Sequence, residues 1–168
     1  MLRCHSGESA KGKYPVQAIS TMNRIIQRAE QYERETDVEK FYALVDEPGK
    51  LDAMADAVVS AGSSLGAKVI VVIGGKTGET ARKIAQARPH APIVAFVDDQ
   101  KVARQMQMYR GIHPTLSPSV TMTLSDAVEH AKKFHYVKAG DYVIVVSTEG
   151  SEEGGLGSNV TMRIANAV

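Results

Sequence analysis

The stretch "GGKTGET", residues 74–80, holds the residue types that could bind an anion. Lys76 brings a positive charge, and Thr77 and Thr80 bring hydroxyl donors. Gly74, Gly75 and Gly78 leave the backbone N–H groups open to approach. An apolar run, "VIVVI", precedes it and a helical pattern follows. A strand that turns on glycines into a helix presents free N–H groups and the positive end of the helix dipole, which favour a phosphate or carboxylate. The same pattern also fits an ordinary strand–turn–helix corner, with Thr77 or Thr80 as the N-cap. Two better-known phosphate loops do not match. A Walker loop needs a glycine five residues before the one that precedes the lysine, and that position is Ile70. The dinucleotide turn needs G-x-G-x-x-G, a spacing that Gly74, Gly75 and Gly78 do not give.

A second glycine-rich stretch, "TEGSEEGGLGSN", ends near the C-terminus, and its Gly155, Gly157, Ser158 and Asn159 could close over the same ligand. Other candidates fall to blander readings. Cys4 and His5 are adjacent, which makes a poor chelate. His90, His113, His130 and His135 lack metal-ligand spacing, and no EF-hand pattern is present. Met106 and Met108 stand two apart on a helix and cannot share a face, so one of them is expected in the core or at an interface. No Ser–His–Asp order and no carboxylate pair stands out, and no metal site is expected in this chain.

The elements that must position these residues alternate. Pro15 opens a helix over residues 15–32, with Val16, Ile19, Met22, Ile26 and Ala29 on one apolar face. A charged junction, "ERETDVEK", follows, then a second helix over 38–45 and a third over 51–65. From there strands over 68–73, 93–97, 112–116 and 141–147 alternate with helices over 78–87, about 98–111 and 124–134. A final strand covers 160–165. Alternation of this kind predicts a three-layer α/β/α fold with a mostly parallel five-stranded sheet. The last strand follows a loop with no helix, which allows antiparallel pairing. The "GGKTGET" turn and the glycine-rich loop both leave strands at the carboxyl edge, where such sheets carry their ligand crevice.

Composition narrows the class. With 168 residues the chain has room for one domain, or one domain and an appendage. An apolar content of 43% supports a core. A net charge of +1 with no basic tract gives no case for nucleic acid. Tryptophan is absent and aromatics are 5%, which argues against a stacking surface for single strands. A single cysteine, Cys4, rules out an internal disulfide framework and fits a reducing cytosol. No apolar run reaches membrane-spanning length, and "MLRCHSGESAKGKYP" has no signal-peptide core. The expected location is cytoplasmic.

"SGESAKGKYPVQA", residues 6–18, is similar to the segment that closes the catalytic barrel of pyruvate kinases. "GKTGETARKIAQARPHAPIVAF" resembles the strand, effector loop and helix of that family's C-terminal domain. "ARQMQMYRGIHPTL", above all Tyr109-Arg110-Gly111-Ile112, looks like its next helix and strand. "AKKFHYVKAGDYVIVV" with the glycine loop and "TMRI" resembles the end of the family chain. The likeness runs over nearly the whole sequence. Three local departures accompany it. Arg3, Cys4 and His5 separate Met1-Leu2 from Ser6, where the family joins them directly. Gly75 stands where a hydroxyl residue is common, and Glu79 puts a negative charge into the loop.

The resemblance implies that residues 1–35 are the closing loop and last helix of the barrel, and that residues 36–168 are the C-terminal allosteric and assembly domain. The full-length family enzyme moves a phosphoryl group from phosphoenolpyruvate to ADP with magnesium and potassium, whose ligands lie in parts of the barrel that this chain does not match. Ser6 and Glu8 match family residues near the proton-delivery region and would be remnants, so the chain alone is expected to be inactive. Lys76, Thr77, Gly78 and Thr80 keep the character of the loop that wraps an effector phosphate. Glu79, Glu149, Glu152 and Glu153 oppose a second phosphate, so a sugar monophosphate is expected to bind better than fructose 1,6-bisphosphate. A homo-oligomer is implied, a tetramer in the family. The alternatives are a free-standing module that binds a sugar phosphate and a purely structural oligomerisation module.

Overall fold

The computed structural model describes residues 7–35, 49–74, 77–117, 122–149 and 159–167. The helix expected over 38–45 lies outside them. The chain forms two compact units, Met1–Leu44 and Val45–Val168.

In the first unit a short helix, α1 (Gly7–Lys11), leads into α2 (Pro15–Glu35). Pro15 stands in the first turn, where its missing N–H costs no intrahelical bond. The backbone N–H of Tyr14 donates to Glu8 Oε1 at 2.6 Å and fixes the corner between the two helices. The apolar face expected on α2 is present but largely uncovered. Val16 is 76% exposed and Ile19 48%, while Met22 and Ile26 are half-buried.

The second unit begins with α3 (Lys50–Leu65). The Asp52 carboxylate accepts the Gly49 N–H at 3.0 Å, and Gly66 ends the helix in the left-handed region at φ 61°. Ala55, Val58 and Val59 form the buried stripe. Then follow β1 (Val69–Ile73), α4 (Glu79–Gln86), β2 (Ile93–Val97), α5 (Gln100–Met106), β3 (Ile112–Leu116), α6 (Leu124–Lys133), β4 (Tyr142–Glu149) and β5 (Asn159–Asn166). β1 and β2 are buried along their whole length, which is why they read as unbroken apolar runs rather than alternating ones.

The sheet order is β3-β2-β1-β4-β5. The first four strands are parallel, and β5 pairs antiparallel with β4, with Ser147 opposite Thr161 and Ile144 opposite Ile164. This is the mixed sheet that the alternation predicts, with the freedom left to the last strand resolved as antiparallel. Ile70 and Val72 face a core built with α3, α4 and α5, while Val69, Val71 and Ile73 face one built with α6. Each fully buried Val or Ile contributes roughly 1.5–3 kcal/mol.

Several boundaries move. The helix expected to run to Gly111 stops at Met106, and Met108 and Tyr109 donate back to Gln105 and Met106 in tight turns. Gly111 then turns the chain at φ 75°, and its carbonyl accepts the Ile93 N–H at 2.8 Å. Met106 is 1% exposed and Met108 70%, so Met106 is the core member of the pair. β4 and β5 are longer than expected, because each extends its partner's ladder to the Glu149–Asn159 pair. Among the described residues no helix is long and apolar enough to cross a membrane.

Candidate functional site

β1 sits between β2 and β4, although β2 and β4 lie far apart in sequence. The chain leaves β1 toward β2 on one side and returns to β4 on the other, past β1. That makes the β1/β4 boundary the switch point of the sheet, where an open crevice forms outside the carboxyl ends of the strands.

The turn out of β1 is shaped by two glycines. Gly74 has φ 83°, and a Cβ there would lie 2.8 Å from the Thr148 carbonyl oxygen of β4. Neither the torsion nor the space admits a side chain. Gly78 is the N-cap of α4 at φ 68°, with Met106 Sδ 2.8 Å from the place of a Cβ. The expectation that Thr77 or Thr80 caps this helix is therefore corrected. No side chain caps α4, because the glycine at the cap position has none to offer. The first-turn N–H groups of α4, which have no partner within the helix, keep their capacity to bind a ligand.

Thr77 is exposed beside the turn and Glu79 is exposed at the first helical position. Thr80 is 6% exposed, and its Oγ1 lies 3.1 Å from Thr148 Oγ1. One residue back on β4, Ser147 Oγ lies 2.6 Å from Thr161 Oγ1 of β5. Hydroxyls thus collect along the carboxyl end of β4. Sequence reasoning missed Thr148, Ser147 and Thr161. The available signal was the pair "ST" at the close of the apolar run "YVIVV". On the other side of the turn, a cleft of about 380 Å³ opens between α4 and α5. Thr77 lines it, and the Arg82 guanidinium lies 6.0 Å from the centroid of the Tyr109 ring.

Of the expected effector residues, the structure places Thr77, Gly78 and Thr80 together at the turn. Gly75, Lys76, Gly155, Gly157 and Ser158 lie outside the described residues. Asn159 opens β5, paired with Glu149 in the ladder. Ser6 also lies outside the described residues. Glu8 is in α1 of the first unit, where its carboxylate accepts the Tyr14 N–H. Among the described residues no group of three or more His, Cys, Asp or Glu side chains comes together.

Asp52 and His130 are among the titratable groups that the fold perturbs. The Asp52 carboxyl lies below the usual carboxylate range, mainly because Lys83 Nζ donates to it at 2.7 Å, tying α4 to α3. His130 is held below its ordinary value by burial and by Lys133. Its ring meets Phe96 edge-on at 4.7 Å and stacks on Phe134 at 4.3 Å, and its buried Nδ1 has no hydrogen-bond partner among the described residues.

A mostly parallel five-stranded sheet with helices packed on both faces and a glycine turn at its switch point defines an α/β domain. The model for the pyruvate kinase alpha/beta domain matches residues 52–165, and the chain belongs to the pyruvate kinase family. It is 36% identical over 149 residues to a pyruvate kinase of Clostridium acetobutylicum, covering 84% of this chain and 30% of that protein. Against pyruvate kinase 2 of Synechocystis it is 33% identical over 162 residues, covering 95% of this chain and 26% of the relative. A crystal structure of Cryptosporidium parvum pyruvate kinase superposes with a TM-score of 0.70 at 27% identity, covering 97% of this chain and 32% of that one. The chain thus spans about a third or less of the length of these relatives.

Proposed function

We propose that this chain is the effector-binding and assembly part of a pyruvate kinase, and that its site takes the phosphate of a sugar monophosphate. The observation that carries the reading is the uncapped start of α4 at the β1/β4 switch point, with Thr77 and Thr80 beside it. A phosphate there would accept helix N–H bonds and hydroxyl bonds, and would draw charge from Lys76. Gly155, Gly157 and Ser158, which fall between β4 and β5 in the sequence, and Asn159 at the start of β5 would close over the sugar. Glu79 at the turn, with Glu149, Glu152 and Glu153 in sequence nearby, disfavours a second phosphate.

Calorimetry with glucose 6-phosphate and fructose 1,6-bisphosphate tests this. The monophosphate is expected to bind more tightly, and Lys76→Ala to weaken it roughly ten- to a hundredfold, the worth of a charge-assisted bond. Tighter binding of the bisphosphate would overturn the charge argument. No binding at millimolar concentration would reduce the turn to a structural corner.

The assembly role is supported by the unequal edges of the sheet. β3 carries Pro114, which has no N–H to offer a new strand. β5 runs eight residues without proline and carries a half-exposed Ile164 near its end. It is the edge able to pair with a second copy. Phosphoryl transfer from phosphoenolpyruvate to ADP, with its magnesium and potassium, is proposed for the whole protein only. Ser6 and Glu8 would be remnants of that chemistry, so these 168 residues alone are expected to give no pyruvate above blank in a coupled assay. Turnover that survives repurification would overturn that statement. The cytosol is the proposed location.

A further inference from the structure

We infer that the cleft between α4 and α5 binds a small carboxylate carried on a flat apolar body, with the Arg82 guanidinium as its anchor. The inference goes beyond the effector reading. It draws neither on the start of α4 nor on a phosphate.

The cleft exists because α5 ends early. After Met106 the N–H groups of Met108 and Tyr109 turn back to the carbonyls of Gln105 and Met106. Those turns bring the Tyr109 ring toward α4, with its centroid 6.0 Å from the Arg82 guanidinium. The space left is about 380 Å³, toward the small end of the ~300–1,000 Å³ of ligand pockets. Much of its lining is apolar. Met106 is buried, Val102 is half-buried and Met108 is exposed. Methionine is flexible and polarisable, and adapts to the flat face of a ligand.

The charge in the cleft has no counter-ion of its own. Arg82 is half-buried, yet among the described residues no carboxylate or other acceptor meets its guanidinium. The next residue, Lys83, is paired with Asp52 at 2.7 Å. Glu79 stands three positions before Arg82 on the same helix, a spacing that allows a pair, and forms none with it. The ring of Tyr109 holds the guanidinium through its π-face. A planar fork of N–H donors, oriented and without an acceptor, matches a carboxylate, which takes two of them in parallel.

The rest of the lining selects among anions. Among the described residues Arg82 is the only cation that lines the cleft, which matches a monoanion better than a doubly charged phosphate. Methionine and valine side chains offer no partner to the hydroxyls of a sugar, and they suit a flat ring. Thr77 and Gln105 supply the polar groups that would orient it. A mere clasp between α4 and α5 would use the same Arg82–Tyr109 contact without binding anything, and the two roles make different predictions.

The probe is benzoate, added to the full chain labelled at its methionine methyl carbons and followed by NMR. The Met106 and Met108 signals are expected to shift saturably, and those of Met54, Met122 and Met162 to stay in place. Arg82→Gln is expected to weaken benzoate roughly tenfold or more, the worth of a charge-assisted bond. Arg82→Lys should weaken it less, because the charge stays and the fork is lost. Tyr109→Leu should cost roughly threefold through the lost ring contact. Melting curves establish that each variant is folded. Benzyl alcohol, which has the ring without the charge, is expected to bind about as weakly to the wild type as benzoate does to Arg82→Gln. Benzyl alcohol that binds as tightly as benzoate would overturn the inference and leave an apolar hollow. Inorganic phosphate that moves the same methyls at equal affinity would overturn it too. No shift at Met106 or Met108 with millimolar benzoate would leave Arg82 and Tyr109 as a clasp, and the inference falls. None of these outcomes touches the effector reading, which glucose 6-phosphate tests separately.

Discussion

The α/β unit and the N-terminal helix α2 spend their apolar residues in opposite ways. In the α/β unit, Ile70, Ile84, Ile93 and Ile144 are buried against neighbours of the same unit. In α2, Val16, Ile19 and Ile25 stand at large exposure on a helix of 21 residues whose described partner is the five-residue α1. An apolar stripe on one helix has nothing to bury against unless a second surface meets it. The contrast teaches that the α/β unit buries its apolar residues in a core of its own, whereas α2 leaves several of its apolar side chains exposed.

The comparison breaks first where the core does. Ile144→Ala should cost about 2–5 kcal/mol by urea denaturation, through lost burial and the cavity left beneath α3. Ile25→Ala should stay within roughly 0.5 kcal/mol, as exposed positions do. Similar costs at the two sites would mean that α2 is packed in solution.

A smaller effect concerns association. Uncovered apolar surface tends to find a second copy. Val16→Lys with Ile25→Lys is expected to lower the mass seen by light scattering while leaving the melting temperature nearly unchanged. A monodisperse wild-type monomer with the same mass as the variant would remove the idea that α2 lacks its partner surface.

The smallest effect sharpens the α/β side. Lys83→Ala should cost up to ~1 kcal/mol at neutral pH, the range of a partly exposed pair. The Asp52 carboxyl is lowered in the fold, so its contribution is complete above the unfolded value near 3.8 and fades as pH falls through the folded one. Stability curves of wild type and Lys83→Ala should therefore converge in acid, below about pH 3 to 4. Parallel curves down to that range would show that the bond at 2.7 Å carries no linkage.

Much of the α/β unit was legible in the sequence because local patterns encode local structure. Unbroken apolar runs marked β1 and β2, and the helix expected over 124–134 forms as α6, opened by a capping box in which Thr123 Oγ1 accepts the Asp126 N–H at 3.2 Å. The glycine turn, with Thr77, Gly78 and Thr80, was legible for the same reason. The short form of α5 was not. Its periodic pattern continues past Met106, and the break is set by the return of Gly111 to Ile93.

The sequence by itself determined the alternating elements, the uncharged interior and the placing of a glycine turn between a buried strand and a helix, since each depends on residues within a few positions of one another. Only the tertiary structure decided that β4 lies beside β1, and hence that Thr148 meets Thr80 and that Gly74 must pass the Thr148 carbonyl. It also decided that Gly78, and neither threonine, caps α4, and that Lys83 closes on Asp52 across 31 residues. The physical reason is that strand order is settled by the packing of whole faces. No local window of residues records which distant hydroxyl will stand within 3.1 Å of another.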